Sequence, residues 1–139
     1  MNYVLDCSFI TPLVLTEDNS EAVKAEFNNI QETDTIYVPQ LFWYEIANVM
    51  KKAIRKKRIT RIDAITSMEL LSDYDIHTDF EAGSLYSIVI LDLAEKYDLY
   101  CYDASYLELA MRKGGVLGTN DNNLAAACKK AGVKTIECR

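Results

Sequence analysis

Hydrophobic positions along this chain switch between two periods. Short apolar runs of strand length occur at Tyr3–Leu5, Thr35–Val38, Tyr74–Ile76, Leu99–Tyr102, Val116–Gly118 and Lys134–Glu137. Between them apolar residues recur at helical spacing, which predicts helices over Phe9–Leu15, Ser20–Asn29, Gln40–Lys57, Arg61–Leu71, Ala82–Lys96, Ala104–Arg112 and Asn122–Lys130. Gly132 and the Gly114-Gly115 pair stand where helices end. Parallel strands need crossover connections, so strands alternating with helices predict an α/β fold, a parallel sheet covered on both faces. No repeat, low-complexity tract or linker interrupts the pattern.

In open α/β sheets the ligand site lies beyond the carboxyl ends of the strands. Four carboxylates fall there. "VLDCS" puts Asp6 after the first strand with Ser8 two residues on, and "VPQLFWYE" puts Glu45 within two turns of a helix start. "LYCYD" places Asp103 where an apolar run meets a helix, and "GVLGTND" supplies Thr119 and Asp121 at a strand-to-helix turn. Each acid alone also reads as a helix cap or a solvated group. Together, close carboxylates raise one another's pKa unless a cation holds them. A hard divalent ion suits such a set, since Mg²⁺ takes oxygen ligands and keeps several waters. Carboxylate-held ions about 3.5–4 Å apart can activate a water and stabilise both oxygens of a phosphodiester displacement. On the predicted helix carrying Glu45, an apolar stripe runs through Trp43, Ile46, Ala47, Met50, Ala53 and Ile54. Glu45 then falls on the opposite side, in line with Lys52 and Lys56, which read equally as phosphate contacts or as a solvated basic helix end.

Composition narrows the alternatives. The 139 residues suit one domain spanning 1–139, half hydrophobic and about a quarter charged. No apolar run reaches membrane-spanning length and the chain opens with strand-like "NYVLD", so the expectation is a cytoplasmic protein with no membrane association. Cys7, Cys101, Cys128 and Cys138 lie far apart without a CxxC pair, which argues against zinc and reads as small buried hydrophobes. The lone His77 leaves little room for a nucleophile–histidine site. A net charge of −6 opposes nucleic-acid binding at first sight. However, acids gathered around a cation overstate the effective charge, and "KKAIRKKRITR" at 51–61 holds seven of the fifteen basic residues.

The segments "VLDCS", "VPQLFWYE", "YDASYLELA" and "LGTNDNNLAAAC", in this order across nearly the whole chain, closely resemble the PIN domain and its VapC-like toxin branch. The resemblance implies a three-layer α/β/α sandwich around a mostly parallel sheet of about five strands. It also implies an endoribonuclease dependent on Mg²⁺ or Mn²⁺. The family's acids fall on Asp6, Glu45, Asp103 and Asp121, and its small hydroxyl positions on Ser8 and Thr119. An RNA substrate, a VapB-like antitoxin lying beside the site and a homodimer are implied with it. Leu41, Phe42, Tyr44 and Val49 then line an antitoxin groove, or serve as core or dimer contacts.

Three other readings compete. A phosphoacceptor receiver domain needs a lysine at the carboxyl end of a late strand, whereas Lys134 stands at the start of the last one. An aspartyl-nucleophile phosphatase needs a second acid where "DCS" has Ser8. A PIN-like protein that binds RNA without cutting it, or one serving RNA processing without an antitoxin, fits the same residues.

Overall fold

The computed structural model describes residues 1–138. Five strands and seven helices alternate among them: β1 (Asn2–Leu5), α1 (Cys7–Val14), α2 (Ser20–Asn28), β2 (Thr35–Pro39), α3 (Leu41–Arg55), α4 (Arg61–Leu71), β3 (Ile76–Asp79), α5 (Ser84–Tyr97), α6 (Cys101–Lys113), β4 (Val116–Gly118), α7 (Asn122–Ala131) and β5 (Thr135–Ile136). All neighbouring strands are parallel, in the order β3-β2-β1-β4-β5. Val4, Leu5, Val38 and Leu117 are fully buried, as strands covered on both faces require. Right-handed crossovers put α1–α4 on one face and α5–α7 on the other, and the helix contacts follow that division. The result is a three-layer α/β/α sandwich.

Sheet order reverses at β1, which pairs with β2 on one side and β4 on the other. The crevice at such a switch point, beyond the carboxyl ends, is where open α/β sheets bind ligands. Gly118 lets the structure close there. A Cβ on it would come within 2.7 Å of Leu5 Cδ2 and 3.2 Å of Phe9 Cγ, so a larger residue would have to push these buried side chains aside.

Two predicted strands change. Leu99–Tyr102 is not a strand: Asp98 ends α5 with a φ of 52°, Tyr100 caps α6, and the helix starts at Cys101. Only Leu99 of that run packs inward, against the small cluster of Ile90, Ala94 and Ala104. Tyr100 and Tyr102 are 79% and 69% exposed, so the run is apolar in composition without being buried. The third strand begins at Ile76, not Tyr74, whose ring packs edge-on against Phe27. The cysteine expectation also needs one correction, since Cys101 is exposed while the other three are buried.

Candidate active site

The chain leaves β1 at Leu5 and turns directly into α1, so Asp6 occupies the N-cap. Its Oδ1 accepts hydrogen bonds from the Phe9 N–H at 2.9 Å and from Ser8 Oγ at 2.7 Å. Its Oδ2 accepts from Thr119 Oγ1 at 2.5 Å. Both hydroxyls also accept. The Asn120 N–H donates to Ser8 Oγ at 2.8 Å and the Asp121 N–H donates to Thr119 Oγ1 at 3.0 Å. Each hydroxyl thus spends its proton on Asp6 and a lone pair on the β4–α7 turn. Asp121 caps α7, with Oδ1 accepting from the Leu124 N–H at 2.9 Å.

Asp103 lies in the first turn of α6, half-buried, and it is not the cap of that helix. The dual role of cap and site acid belongs to Asp6 and Asp121. All three nonetheless sit at helix N-termini, where the dipole favours an anion.

Glu45 departs from the expected orientation. Its carboxylate turns inward, half-buried, and Oε1 accepts from Tyr106 Oη at 2.5 Å. The buried residues of α3 are Phe42, Ile46, Met50 and Ala53, while Ala47 is exposed. The apolar face is therefore rotated toward Glu45 relative to the predicted stripe. Trp43 is half-buried with Nε1 donating to Thr78 Oγ1 at 2.9 Å on β3. Of the four suggested groove residues, Phe42 is fully buried, Leu41 and Val49 are half-buried, and only Tyr44 is exposed. Lys52 and Lys56 are exposed further along α3.

The four acids are electrostatically one group. Burial raises the Asp6 pKa to about 6 against the pull of its three hydrogen bonds, and Asp121 adds to the rise. Burial also raises Asp103 to about 6, with Asp121 and then Asp6 adding their repulsion. Glu45 is raised by burial and by Asp103, while the Tyr106 hydrogen bond opposes the shift. No basic side chain among the described residues forms an ion pair with any of them. In donor type and charge this all-oxygen set fits a hard divalent cation. Its spacing is looser, since among the described residues no three His, Cys, Asp or Glu side chains converge closely enough to hold an ion in common.

Two members of the site were not singled out from the sequence. Tyr106 is 1% exposed, one turn beyond Asp103 on α6, and a phenol on a core face must spend its proton on some acceptor. Asn120 donates Nδ2 to the Ser8 carbonyl at 3.2 Å and accepts at Oδ1 from the Cys138 N–H at 2.6 Å, tying the site to the chain end. Its place inside "GTNDNN" was the available signal. Lys134 precedes β5 at the amino edge of the sheet, away from the acids, which removes the receiver-domain reading.

Comparison with known proteins agrees with this architecture. The PIN domain family model matches residues 3–130. Ribonuclease VapC3 of Pyrobaculum aerophilum is 33% identical over 130 residues, covering 90% of this chain and 93% of that protein. The crystal structure of PAE2754 from the same organism superposes with a TM-score of 0.69 at 26% identity, over 97% of this chain and 83% of that one. VapBC2 of Rickettsia felis, bound to a DNA fragment from its promoter, shares the fold with a TM-score of 0.70 at 15% identity, over 99% and 98% of the two chains. With its acids gathered at the switch point and a family match running from β1 through α7, this chain belongs to the PIN-domain family.

Proposed function

We propose that this chain is a single PIN-type unit that cleaves RNA with a divalent cation, Mg²⁺ or Mn²⁺. One observation carries the reading: four mutually repelling carboxylates share the carboxyl edge of the sheet with no basic side chain to neutralise them. Asp6 is held rigid by three donors, while Asp103 keeps its whole carboxylate for the site. Glu45 and Asp121 each commit one oxygen to the protein and keep the other. A pair of these carboxylates, with water completing the shell, would hold the cation. When bound, it supplies Lewis-acid polarisation of a phosphodiester and lowers the pKa of an attacking water. Lys52 and Lys56, on the exposed side of α3, are available to backbone phosphates.

Similarity to Ribonuclease VapC3 supports RNA as the substrate. Pairing with a VapB-like antitoxin, as its toxin in the cytoplasm, goes with the same reading, and VapBC2 shares the fold. Among the described residues no helix is long and apolar enough to cross a membrane. The loose spacing of the acids favours a second reading, RNA binding without cleavage. The purified chain decides between them. Asp6→Asn and Asp103→Asn should each abolish cleavage with the fold retained, and EDTA should silence the wild type. Cleavage by both variants at the native rate, or tight RNA binding with no cutting in Mg²⁺ or Mn²⁺, would sink the nuclease reading.

A further inference from the structure

The geometry points to Tyr106 as a positioning residue that sets where Glu45 stands relative to Asp103, and so sets the affinity of the site for its cation. The inference rests on the metal-dependent reading above and deepens it. Glu45 belongs to α3, in the helical layer on one face of the sheet, whereas Asp103 belongs to α6, in the layer on the other face. The two layers were built by separate crossovers, so nothing local fixes the distance between these acids. Tyr106 supplies the link. It follows Asp103 by three residues on α6, which puts both on one side of the helix.

Its ring is almost wholly buried, and its hydroxyl reaches across to Glu45 Oε1 at 2.5 Å. A hydroxyl donating to a carboxylate is a charge-assisted bond, one of the stronger kinds. It is also the only side-chain hydrogen bond that Glu45 makes among the described residues. A free glutamate on a helix explores several rotamers. With Oε1 anchored, Glu45 presents Oε2 from one place, within range of the Asp103 charge. Asp6 is fixed independently by Ser8, Phe9 and Thr119, so the tyrosine governs one acid and not the others.

The test uses Tyr106→Phe, which keeps the ring and removes only the hydroxyl. Mn²⁺ binding to the purified chain is followed by calorimetry and by electron paramagnetic resonance of the ion, alongside cleavage against Mn²⁺ concentration. Loss of a hydrogen-bond partner behind a ligand typically costs about 10–100-fold in metal affinity. The variant should therefore bind Mn²⁺ about tenfold or more weakly, and regain much of its cleavage rate as Mn²⁺ is raised. In a Glu45→Gln background the same change should make almost no difference to Mn²⁺ affinity. An equal loss in both backgrounds, or an unchanged affinity in Tyr106→Phe, overturns the role of Tyr106 and leaves the nuclease reading standing. A wild-type chain that binds no Mn²⁺ overturns both. The wild type tagged with ¹³Cζ-tyrosine gives a readout that needs no stable variant: the Tyr106 signal should move on addition of Mg²⁺, and a stationary signal counts against the proposal.

Discussion

Asp103 stands apart from the other three acids. Asp6 accepts three hydrogen bonds and Glu45 and Asp121 one each from side chain or backbone donors, whereas the Asp103 carboxylate accepts none from the described residues. Its pKa of about 6 is thus opposed by no donor, and that has a consequence for stability. Between the ordinary value of 3.8 and about 6, the folded chain holds protons on Asp103 and Asp6 that the unfolded chain has released. Unfolding free energy therefore falls as pH rises through this window. Asp34 and Asp79 act with the opposite sign. Their pKa values are lowered, so the stability they contribute is lost only as pH falls from 3.8 through their folded values. In EDTA the wild type should melt at a higher temperature at pH 5 than at pH 7.5. Asp103→Asn should raise the pH 7.5 melting temperature, by about 1 kcal/mol after discounting for partial exposure, or about 3–5 °C. The same variant should flatten the dependence between the two pH values. Calorimetric scans check this, and a wild type that gains stability from pH 5 to pH 7.5 would contradict the account. A site assembled from repelling acids costs the fold stability that a bound cation would restore.

Among the elements, α5 and α6 are joined by a second charged cluster that owes nothing to the site. Arg112 on α6 grips Asp79 at the end of β3 through Nη1 and Nη2, at 2.9 and 2.7 Å. Its Nε and Nη2 reach the buried Glu108, which also accepts from Tyr86 Oη on α5 at 2.5 Å. Arg112→Ala would leave Glu108 and Asp79 with only the more distant charge of Lys113 near Asp79, and breaking a buried pair from one side costs about 3–5 kcal/mol. Urea unfolding should show a loss of about 3 kcal/mol, at the low end because Arg112 is 32% exposed; a loss under about 1 kcal/mol would mean that the cluster is not coupling the elements. The sequence made α3 and α7 legible through an apolar face at helical spacing, and the ends of α6 and α7 through Gly114 and Gly132. It misread Leu99–Tyr102, because two tyrosines give a strand-like apolar count while their rings lie in water. Asp6 and Asp121 were legible through the rule that places ligands beyond strand ends, whereas Asp103 was reached through a strand that does not form and Glu45 lies inside α3. The direction of Glu45 was not legible, because it depends on how α3 is rotated, and Trp43 reaching Thr78 on β3 is a long-range contact. Tyr106 and Asn120 were hidden for the same reason, since their partners lie 61 and 112 residues away.

On the scale of the whole molecule, the least satisfied surface is α5. The helix buries only a narrow strip, Ile90 and Ala94 with Tyr86 and Leu93 beside them, against α6. Leu85, Ile88 and Val89 point into solvent, and Leu85 is 79% exposed. Phe80 just before the helix and Tyr100 just after it are exposed too. Apolar side chains gathered along one element in this way mark an interaction surface more often than chance exposure. The homodimer that the PIN-domain resemblance implies would find a suitable face here, because a two-fold axis lets one apolar face cover its own equivalent. Sedimentation at tens of micromolar should report twice the chain mass of 15.8 kDa. Leu85→Glu combined with Ile88→Glu should yield a folded monomer, with circular dichroism unchanged, because both side chains are already outside the core. A wild type that sediments at 15.8 kDa would rule out this dimer, as would a double variant that still pairs.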